Sequence, residues 1–406
     1  MSRQRAAPAT FEESRIDTPA RPGGVRVPFA LVTAGGFDSY VAGLRADLGS
    51  AGSVADAERL VEQRGLTLWH DAVERAQGRL WMGTIERYDD RPLYWARLMG
   101  TRDLRRWWPS FSVSDDARGA LLRTFEYASR GLTTSAFPDR EAVTNVLVSG
   151  FDPYRLNDEI RRSNPSGASA LQLDGVTFRA GDETIRIRAV MLPVTWSGFD
   201  AGIVEDAFGP HLAGDRRADL IMTISQGDRG AMTIEQWAGA WRGGSLDNDD
   251  EGTPEPIPPA AGWPQPDPQP EFIETTLPHQ AMIDARTTPW PTRLNRRIGE
   301  WAAGDRPTGP VTAGSSGPTP GGRAHSGGGG NYLSNESMYR ANRLRLALGA
   351  TGLPGGHLHI SALEYPADPL VIIDPAFAAD RAQTIEQTIA LVKAAGASVA
   401  GRSQAG

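Results

Sequence analysis

The chain contains no cysteine and a single lysine. Both features exclude classes of enzyme and of metal site that depend on these residues. Without cysteine there is no disulfide, no thiolate nucleophile, no Cys-ligated zinc and no iron–sulfur cluster. Of the 42 basic side chains only Lys393 is a lysine. It lies in a stretch of helical character, without the local setting that a Schiff-base lysine or a phosphate-binding P-loop lysine needs. Enzymes of these classes are therefore excluded.

Long apolar runs and an excess of positive charge are also missing. No segment reaches 18 consecutive apolar residues, so we expect no membrane-spanning helix. The net charge of −7 argues against nucleic acid, which attracts basic patches. The N-terminal region places three acidic residues before its short apolar run at residues 27–34, unlike a signal peptide. We expect a cytoplasmic protein that binds neither nucleic acid nor membrane, and the sequence gives no indication of its oligomeric state.

The first part of the chain divides into an arm and a helical extension. Residues 1–25 are polar and contain proline, and we expect a disordered arm over residues 1–36. Residues 37–135 show helical periodicity, with Ser114 as the expected N-cap of a helix that runs to about residue 129. Five of the 11 tryptophans lie in this extension and are expected to form its core: Trp69, Trp81, Trp95, Trp107 and Trp108. We see no catalytic set of residues here, so one hypothesis is a module that binds a partner through this region.

Residues 143–400 have the pattern of a three-layer α/β/α domain with a mainly parallel sheet. Short runs rich in Val and Ile end in turns, as buried strands do, at residues 145–148, 185–191 and 220–224, with a weaker candidate at 272–277. Helical stretches are expected at residues 234–241, 280–285, 335–348 and 379–395. Such alternation is typical of helices covering a parallel sheet.

Two insertions are expected to be flexible because their composition cannot bury a core. Residues 251–270 hold eight prolines, and residues 304–330 hold ten glycines and four prolines. The glycine run at residues 327–330 does not predict a phosphate site, because it lacks the Lys and Ser/Thr that follow in a P-loop and does not directly follow a strand.

A series of short motifs in the α/β region carries the chemical information. Each follows a strand or opens a helix, and the carboxyl ends of strands are where α/β sheets bind ligands. The motifs are GFDPY, NPS, LPV, SQGDRG, TIE, TTLP, GNYLSN and GHLHI, at residues 150–154, 164–166, 192–194, 225–230, 233–235, 275–278, 330–335 and 356–360.

In this order the motifs resemble pyroglutamyl peptidase I, the cysteine peptidases that remove an N-terminal pyroglutamate. The resemblance covers residues ~145–365 and leaves out the helical extension and both insertions. It implies a nucleophile at Ser334, a base at His359 and an acidic partner at Glu235, which we expect in the first turn of a helix capped by Thr233. It further implies a pocket for the pyrrolidone ring; the residues assigned to this pocket are Phe151, Tyr154, Gln226 and Tyr332. No cofactor is implied, and the substrate would be a small peptide or amide.

The sequence also departs from the family pattern. Serine stands at the position of the family's cysteine, Ser361 replaces a proline, and the placement of Arg229 is uncertain because its segment is one residue shorter. A serine hydroxyl cannot be ionised as a thiol can, so it needs a base that removes its proton during attack. Ser334, His359 and Glu235 form a chemically complete triad.

Other roles for the same residues stay open at this point. Ser334 is also a good helix N-cap, which leaves a catalytically silent binding protein with the aromatic pocket as the alternative function. His357 is expected to be structural. A metal site at His357 and His359 lacks a third ligand signature, so no metal is expected.

Overall fold

The computed structural model describes residues 7–138 and 143–402 of the chain. In these ranges the α-helices are α1 (Phe11–Ser14), α2 (Val27–Gly35), α3 (Asp38–Ser50), α4 (Val54–Ala76), α5 (Arg91–Arg106), α6 (Asp115–Ser129), α7 (Pro165–Leu173), α8 (Trp196–Asp200), α9 (Ile203–Phe208), α10 (His279–Asp284), α11 (Leu333–Ala347) and α12 (Pro375–Arg402). The strands are β1 (Thr144–Phe151), β2 (Thr177–Ala180), β3 (Glu183–Leu192), β4 (Leu220–Gln226), β5 (Met232–Glu235), β6 (Trp237–Gly239), β7 (Trp241–Gly243), β8 (Pro254–Pro256), β9 (Phe272–Glu274), β10 (Thr292–Asn295), β11 (Ile298–Trp301), β12 (Val311–Gly314), β13 (Arg323–Ser326) and β14 (Gly355–Ile360).

A seven-stranded sheet in the order β10-β5-β14-β4-β1-β3-β2 forms the centre of the α/β region. The strands β14, β4, β1 and β3 are parallel to one another, while β5 pairs antiparallel with β14 and β2 pairs antiparallel with β3. Side chains of α7, α10 and α12 cover one face, and those of α9 and α11 cover the other. The predicted three-layer α/β/α class with a mainly parallel sheet is therefore confirmed.

Strand β1 explains why its run in the sequence is apolar without alternation. Val146 and Val148 point into the core beneath α12, while Leu147 and Phe151 point into the core beneath α11. A strand that is buried on both faces needs apolar residues at every position.

One predicted helix is wrong. Residues 234–241 form no helix but belong to three short strands, β5, β6 and β7. In β5, Met232 and Ile234 enter the core while Thr233 and Glu235 point to the other side. This two-residue alternation is typical of a strand. Glu235 is therefore on a strand and not in the first turn of a helix, as the sequence predicted. The weak strand candidate at residues 272–277 is β9, which pairs with β6 outside the main sheet.

The described part of the segment expected to be a disordered arm, residues 7–36, contains two α-helices, and residues 1–6 of that prediction lie outside the described residues. Thr10 caps α1 by accepting a hydrogen bond from the Glu13 backbone N–H, and the Glu13 carboxylate bonds back to Thr10. Ile16, Val27 and Leu31 are buried in the same core as α5. The periodicity of this segment is too short to be recognised alone, and its order comes from contacts that are distant in sequence.

The two insertions also differ from the expectation of flexibility. Within the second, β12 and β13 flank β11 in a three-stranded antiparallel sheet, and Trp301 of β11 packs edge to face on Trp241 with ring centroids 5.1 Å apart. In the first, β8 pairs with β7, and the Arg343 guanidinium donates to the carbonyl of Pro258 at 2.9 Å. Side chains and aromatic packing from outside therefore order segments whose own composition cannot.

The five tryptophans of the helical region differ in burial. Trp69, Trp95 and Trp107 are buried, as predicted, but Trp108 is largely exposed and Trp81 is 98% exposed. The two exposed rings lie in the connections that follow α4 and α5, outside the packed helices. The predicted Ser114 cap of α6 is confirmed, since its hydroxyl accepts from the Ala117 N–H at 3.1 Å.

A buried ionic cluster attaches the helical region to the sheet. Asp152 follows β1 and is fully buried, and it accepts hydrogen bonds from Arg97 at 2.8 Å and from Arg130 at 2.6 Å. Burial by itself raises the pKa of Asp152, but the charges of Arg130 and Arg97 outweigh it and hold that pKa below its usual value. The turn after β1 is thus fixed by two arginines of the helical region.

The N-terminal segment reaches the same turn through Glu12. Its carboxyl group accepts from the Tyr94 hydroxyl and the Asn248 amide, both at 2.8 Å, and Asn248 also donates to the carbonyl of Pro153. Burial, followed by the charges of Asp152 and Asp249, raises the pKa of Glu12 from 4.5 to about 8. Glu12 is therefore mainly protonated in the folded protein near neutral pH.

No single helix among the described residues is long and apolar enough to cross a membrane. The helices α2 and α3 meet the criteria of length and composition only when taken together, and the chain bends by 98° between them.

We predict that Asp152→Asn lowers the free energy of unfolding by about 3 kcal/mol, because it leaves two buried guanidinium groups without their counter-charge. Asp158→Asn is the matched control in the same connection: the Arg155–Asp158 pair has both side chains more than half exposed, and its loss should cost less than about 0.5 kcal/mol. Urea denaturation of both variants measures the difference. Equal stabilities would contradict a structural role for the cluster.

We also predict a pH dependence from Glu12. Its pKa is higher in the folded protein than in the unfolded chain, so the unfolded chain binds fewer protons between the values of 4.5 and about 8. The free energy of unfolding should therefore fall as pH rises through this window, by up to about 1.4 kcal/mol per pH unit. Denaturation at several pH values should show that Glu12→Gln lacks this component. The exposed Glu58→Gln serves as control and should keep the wild-type slope.

Candidate active site

A cavity of about 700 Å³ opens beside the carboxyl ends of β1, β4 and β14. Its wall includes all seven residues assigned to the site from the sequence, which come from five of the motifs: Phe151, Tyr154, Gln226, Glu235, Tyr332, Ser334 and His359. The carboxyl edge of the parallel strands is the expected position for a ligand site.

A buried histidine–carboxylate pair lies in the middle of the cavity wall. Nδ1 of His359 and Oε1 of Glu235 are 2.9 Å apart, and both side chains are buried. An ionised carboxylate only accepts hydrogen bonds, so the proton of the neutral ring belongs on Nδ1. This leaves Nε2 as an acceptor, the nitrogen that a general base uses.

Neighbouring side chains fix the Glu235 carboxylate in place. The Thr233 hydroxyl donates to Oε1 at 2.6 Å, and the Asn295 amide donates to Oε2 at 2.7 Å. Thr233 is two residues before Glu235 on the same face of β5, and Asn295 lies directly opposite Glu235 on β10. The strand conformation of β5, which sequence reasoning missed, makes both contacts.

A glycine turn closes over the pair. The Asn295 amide also donates to the Gly328 carbonyl at 2.7 Å. A Cβ placed on Gly328 would collide with Glu235 Oε2, and one on Gly329 would come 2.6 Å from His359 Cε1. The glycine run at residues 327–330 therefore permits close approach of backbone to the His359–Glu235 pair, a role unrelated to phosphate binding.

Ser334 is the second residue of α11, as the sequence placed it near a helix start. The N-cap of this helix is Tyr332, and no side chain caps it, so the interpretation of Ser334 as a cap is wrong. The Ser334 hydroxyl donates to the Gly329 carbonyl at 3.2 Å, which places it beside the glycine that covers the His359 ring. The first backbone N–H groups of α11 have no partners within the helix and are available for an anion.

His357 packs against His359 and is held by two hydroxyl groups. Its Nδ1 is 2.7 Å from the Thr223 hydroxyl, its Nε2 is 2.8 Å from the Ser225 hydroxyl, and its ring lies edge to face against His359. Burial, and secondarily the charge of His359, lowers the pKa of His357 well below its usual value. It therefore stays neutral and has both nitrogens engaged, which agrees with a structural role.

Aromatic side chains form the other end of the cavity. Tyr154 and Tyr332 face each other with ring centroids 6.5 Å apart, and Phe151 lies on the same wall. The amide of Gln226 donates to the Tyr154 hydroxyl at 3.3 Å, and the Tyr332 hydroxyl donates to the Leu246 carbonyl. This end combines flat apolar surfaces with a few polar groups.

The remaining motifs hold these residues in position. The Ser166 hydroxyl accepts from the Phe151 N–H, and the Asn164 amide donates to the Asp152 carbonyl. The Thr276 hydroxyl accepts from the Gly355 N–H at the start of β14. Arg229 lies outside the cavity wall and pairs with Asp380 of α12, so it takes no part in this site.

Several residues of the cavity wall were not predicted. Asn295 and the arginines at positions 293, 296 and 297 belong to a segment outside the motifs, and only the sheet pairing of β10 with β5 brings them to Glu235. No pattern in the sequence could have identified them. Within the described residues no group of three His, Asp or Glu side chains could hold a metal ion.

Comparison with known proteins gives the family of the chain. Residues 1–126 match the model of the PA0049 N-terminal domain, and residues 145–265 and 302–364 match that of the PA0049 C-terminal domain. An uncharacterized protein PA0049 of Pseudomonas aeruginosa is 32% identical over 506 aligned positions, which cover 99% of this chain and 91% of that protein. The chain belongs to the PA0049 family.

Among solved structures, the PA0049-family chain is similar to the pyroglutamyl peptidase I from Bacillus amyloliquefaciens. The sequence identity is 17%, the TM-score is 0.42, and the match covers 63% of this chain and 95% of that one. At this distance the likeness carries no functional argument, so the roles of the individual site residues stay predictions that depend on the geometry.

Proposed function

We propose that this PA0049-family protein is an amide hydrolase with a Ser334–His359–Glu235 triad, acting next to a pyroglutamyl or similar small lactam or acyl group. The observation that carries the proposal is the buried His359–Glu235 pair, whose Nδ1 is occupied by the carboxylate, in a cavity that also contains Ser334 at a helix N-terminus. The aromatic end of the cavity suits a small flat acyl group. The substrate would be a small peptide or amide, and we keep the expectation of a cytoplasmic enzyme.

The reaction follows from the roles of these groups. Ser334 Oγ attacks the carbonyl carbon while His359 Nε2 takes its proton, and Glu235 stabilises the imidazolium that forms. Backbone N–H groups at the start of α11 donate to the oxyanion of the tetrahedral intermediate. The amine leaves with the proton from His359. Water, activated by the same nitrogen, then hydrolyses the acyl-serine ester and releases the acid.

One observation favours a second candidate, a binding protein without catalysis. The Ser334 hydroxyl donates to the Gly329 carbonyl and not to His359. Catalysis needs the hydroxyl to turn toward Nε2 when substrate binds. Catalytic hydrogen bonds of other enzymes often form fully only in the substrate complex, so the present orientation is compatible with catalysis. If it does not turn, the aromatic pocket remains as a ligand site.

We predict that the wild-type protein hydrolyses a fluorogenic pyroglutamyl amide. Ser334→Ala and His359→Ala should each lower kcat/KM at least about a hundredfold, because each removes an essential proton transfer or bond. His70→Ala, on an exposed helix face, should retain full activity. No hydrolysis by the wild type, together with measurable binding of pyroglutamyl amide, would favour the binding protein.

We also predict that Ser334→Cys carries a thiol with a pKa below the ordinary ~8.5. The thiol would sit at the N-terminus of α11 and beside His359, and both stabilise a thiolate. Because the protein has no other cysteine, the rate of alkylation against pH reports this thiol alone.

Two variants test the cause of that shift. Adding His359→Ala should raise the thiol pKa toward its ordinary value, while Ser50→Cys at an exposed helix end should show an ordinary value from the outset. A thiol pKa at position 334 that does not respond to His359→Ala would mean that the two side chains do not interact, and the triad would be wrong.

A further inference from the structure

Three arginines with free guanidinium groups stand on one wall of the cavity. Arg293 lies on β10, and Arg296 and Arg297 follow it; all three line the cavity and are exposed. Among the ion pairs of the described residues, none involves these three side chains. Elsewhere many arginines of this chain are paired with carboxylates. Three unpaired arginines on one cavity wall therefore indicate that the cavity binds an anion.

The acidic groups of the cavity do not neutralise these arginines. Glu235 is buried and already accepts hydrogen bonds from Thr233, Asn295 and His359. Asp228 is exposed on the wall and accounts for one charge. The arginine side of the cavity therefore has a net positive charge that can bind a negatively charged group of a substrate.

The strand order gives the arginines a definite position relative to the scissile bond. Across the sheet, Phe151 is the last residue of β1, His359 is on β14 and Arg293 is on β10. Two strand spacings of about 4.8 Å separate β14 from β1 and likewise β14 from β10, about 10 Å on each side. The histidine is in the middle, the aromatic rings on one side, and the arginines on the other.

We infer that the leaving group of the substrate carries a free carboxylate that binds Arg293, Arg296 and Arg297. The inference rests on the proposed function, because that function places the acyl group at the aromatic end and so directs the leaving amine toward β10. A residue spans about 3.5 Å, so a leaving group of one or two amino acids brings its terminal carboxylate within reach of arginine side chains on β10. The preferred substrate is therefore a short acyl-amino acid or acyl-dipeptide with a free C-terminus. Guanidinium groups are suited to carboxylates because their N–H groups match both oxygens.

The test compares three substrates: pyroglutamyl-alanine, its neutral C-terminal amide, and the α-amide of pyroglutamyl-aspartic acid, in which only the side-chain carboxylate is free. We expect kcat/KM for pyroglutamyl-alanine to exceed that for its amide roughly tenfold at low salt, as exposed ion pairs each add little. The preference should shrink in high salt. A preference for the aspartyl compound alone would overturn the assignment to the terminal carboxylate.

Matched variants attribute the preference to these arginines. The triple variant Arg293→Gln, Arg296→Gln and Arg297→Gln should lose the tenfold preference, so that its kcat/KM values for the acid and for the amide become about equal. The control triple variant Arg21→Gln, Arg106→Gln and Arg217→Gln removes three exposed charges outside the cavity and should keep the preference. Equal rates on acid and amide in the wild type would overturn the inference while leaving the proposed hydrolase intact.

Binding measurements decide the inference if the wild type hydrolyses nothing. Calorimetric titration of Ser334→Ala with pyroglutamyl-alanine and with its amide should show about tenfold tighter binding of the acid, lost in the arginine triple variant. This result would support the carboxylate site although the hydrolase had failed. Equal affinities, or no binding of either compound, would overturn it.

Discussion

The position of Asp152 is the constraint on which much of this structure depends. This carboxylate is buried at the end of β1 and held by Arg97 and Arg130 of the helical region. Taking one acid and two guanidinium groups out of water is costly unless all three are paired, so the helical region must stay in place for the turn to be stable. Phe151 and Tyr154, on either side of Asp152 in the chain, line the aromatic end of the cavity. In this way the N-terminal helices, which contribute no residue to the cavity, determine its shape.

A second dependence links the site to the glycine-rich insertion. Only residues without a Cβ can lie over the His359–Glu235 pair, and the turn at Gly328 and Gly329 satisfies this. The turn is held in return by Asn295, which bonds both the Gly328 carbonyl and the Glu235 carboxylate. The insertion excludes solvent from the pair and keeps the carboxylate's hydrogen bonds satisfied, which a buried charge requires. Composition alone suggests a flexible loop, whereas its contacts make it part of the site.

The orientation of Ser334 separates an active enzyme from a ligand-binding relative. Its hydroxyl donates to the Gly329 carbonyl, and a Cβ on the same glycine would come 2.6 Å from Cε1 of the His359 ring. Catalysis would require the hydroxyl to exchange that acceptor for Nε2, and single-bond rotations between staggered conformers are small energetic steps. A bound acyl group that displaces the hydroxyl from the carbonyl would be enough to produce this exchange. In the proposed mechanism, catalysis therefore depends on substrate binding as well as on the residues present.

The sequence by itself determined the α/β region, the positions of β1, β3, β4 and α11, and seven of the residues that line the cavity. Apolar runs, caps and strand-end motifs are local signals, and they can be recognised in the sequence without knowledge of the fold. It failed at Glu235, where a short TIE segment reads equally well as a helix start or a strand, and at the N-terminal helices, whose burial depends on α5. Only the tertiary structure decided that Asn295 and the three arginines join the site, because β10 reaches Glu235 through sheet pairing between segments some sixty residues apart. Contacts of this kind leave no periodicity in the sequence, since each strand's pattern records which face is buried and not which strand lies beside it.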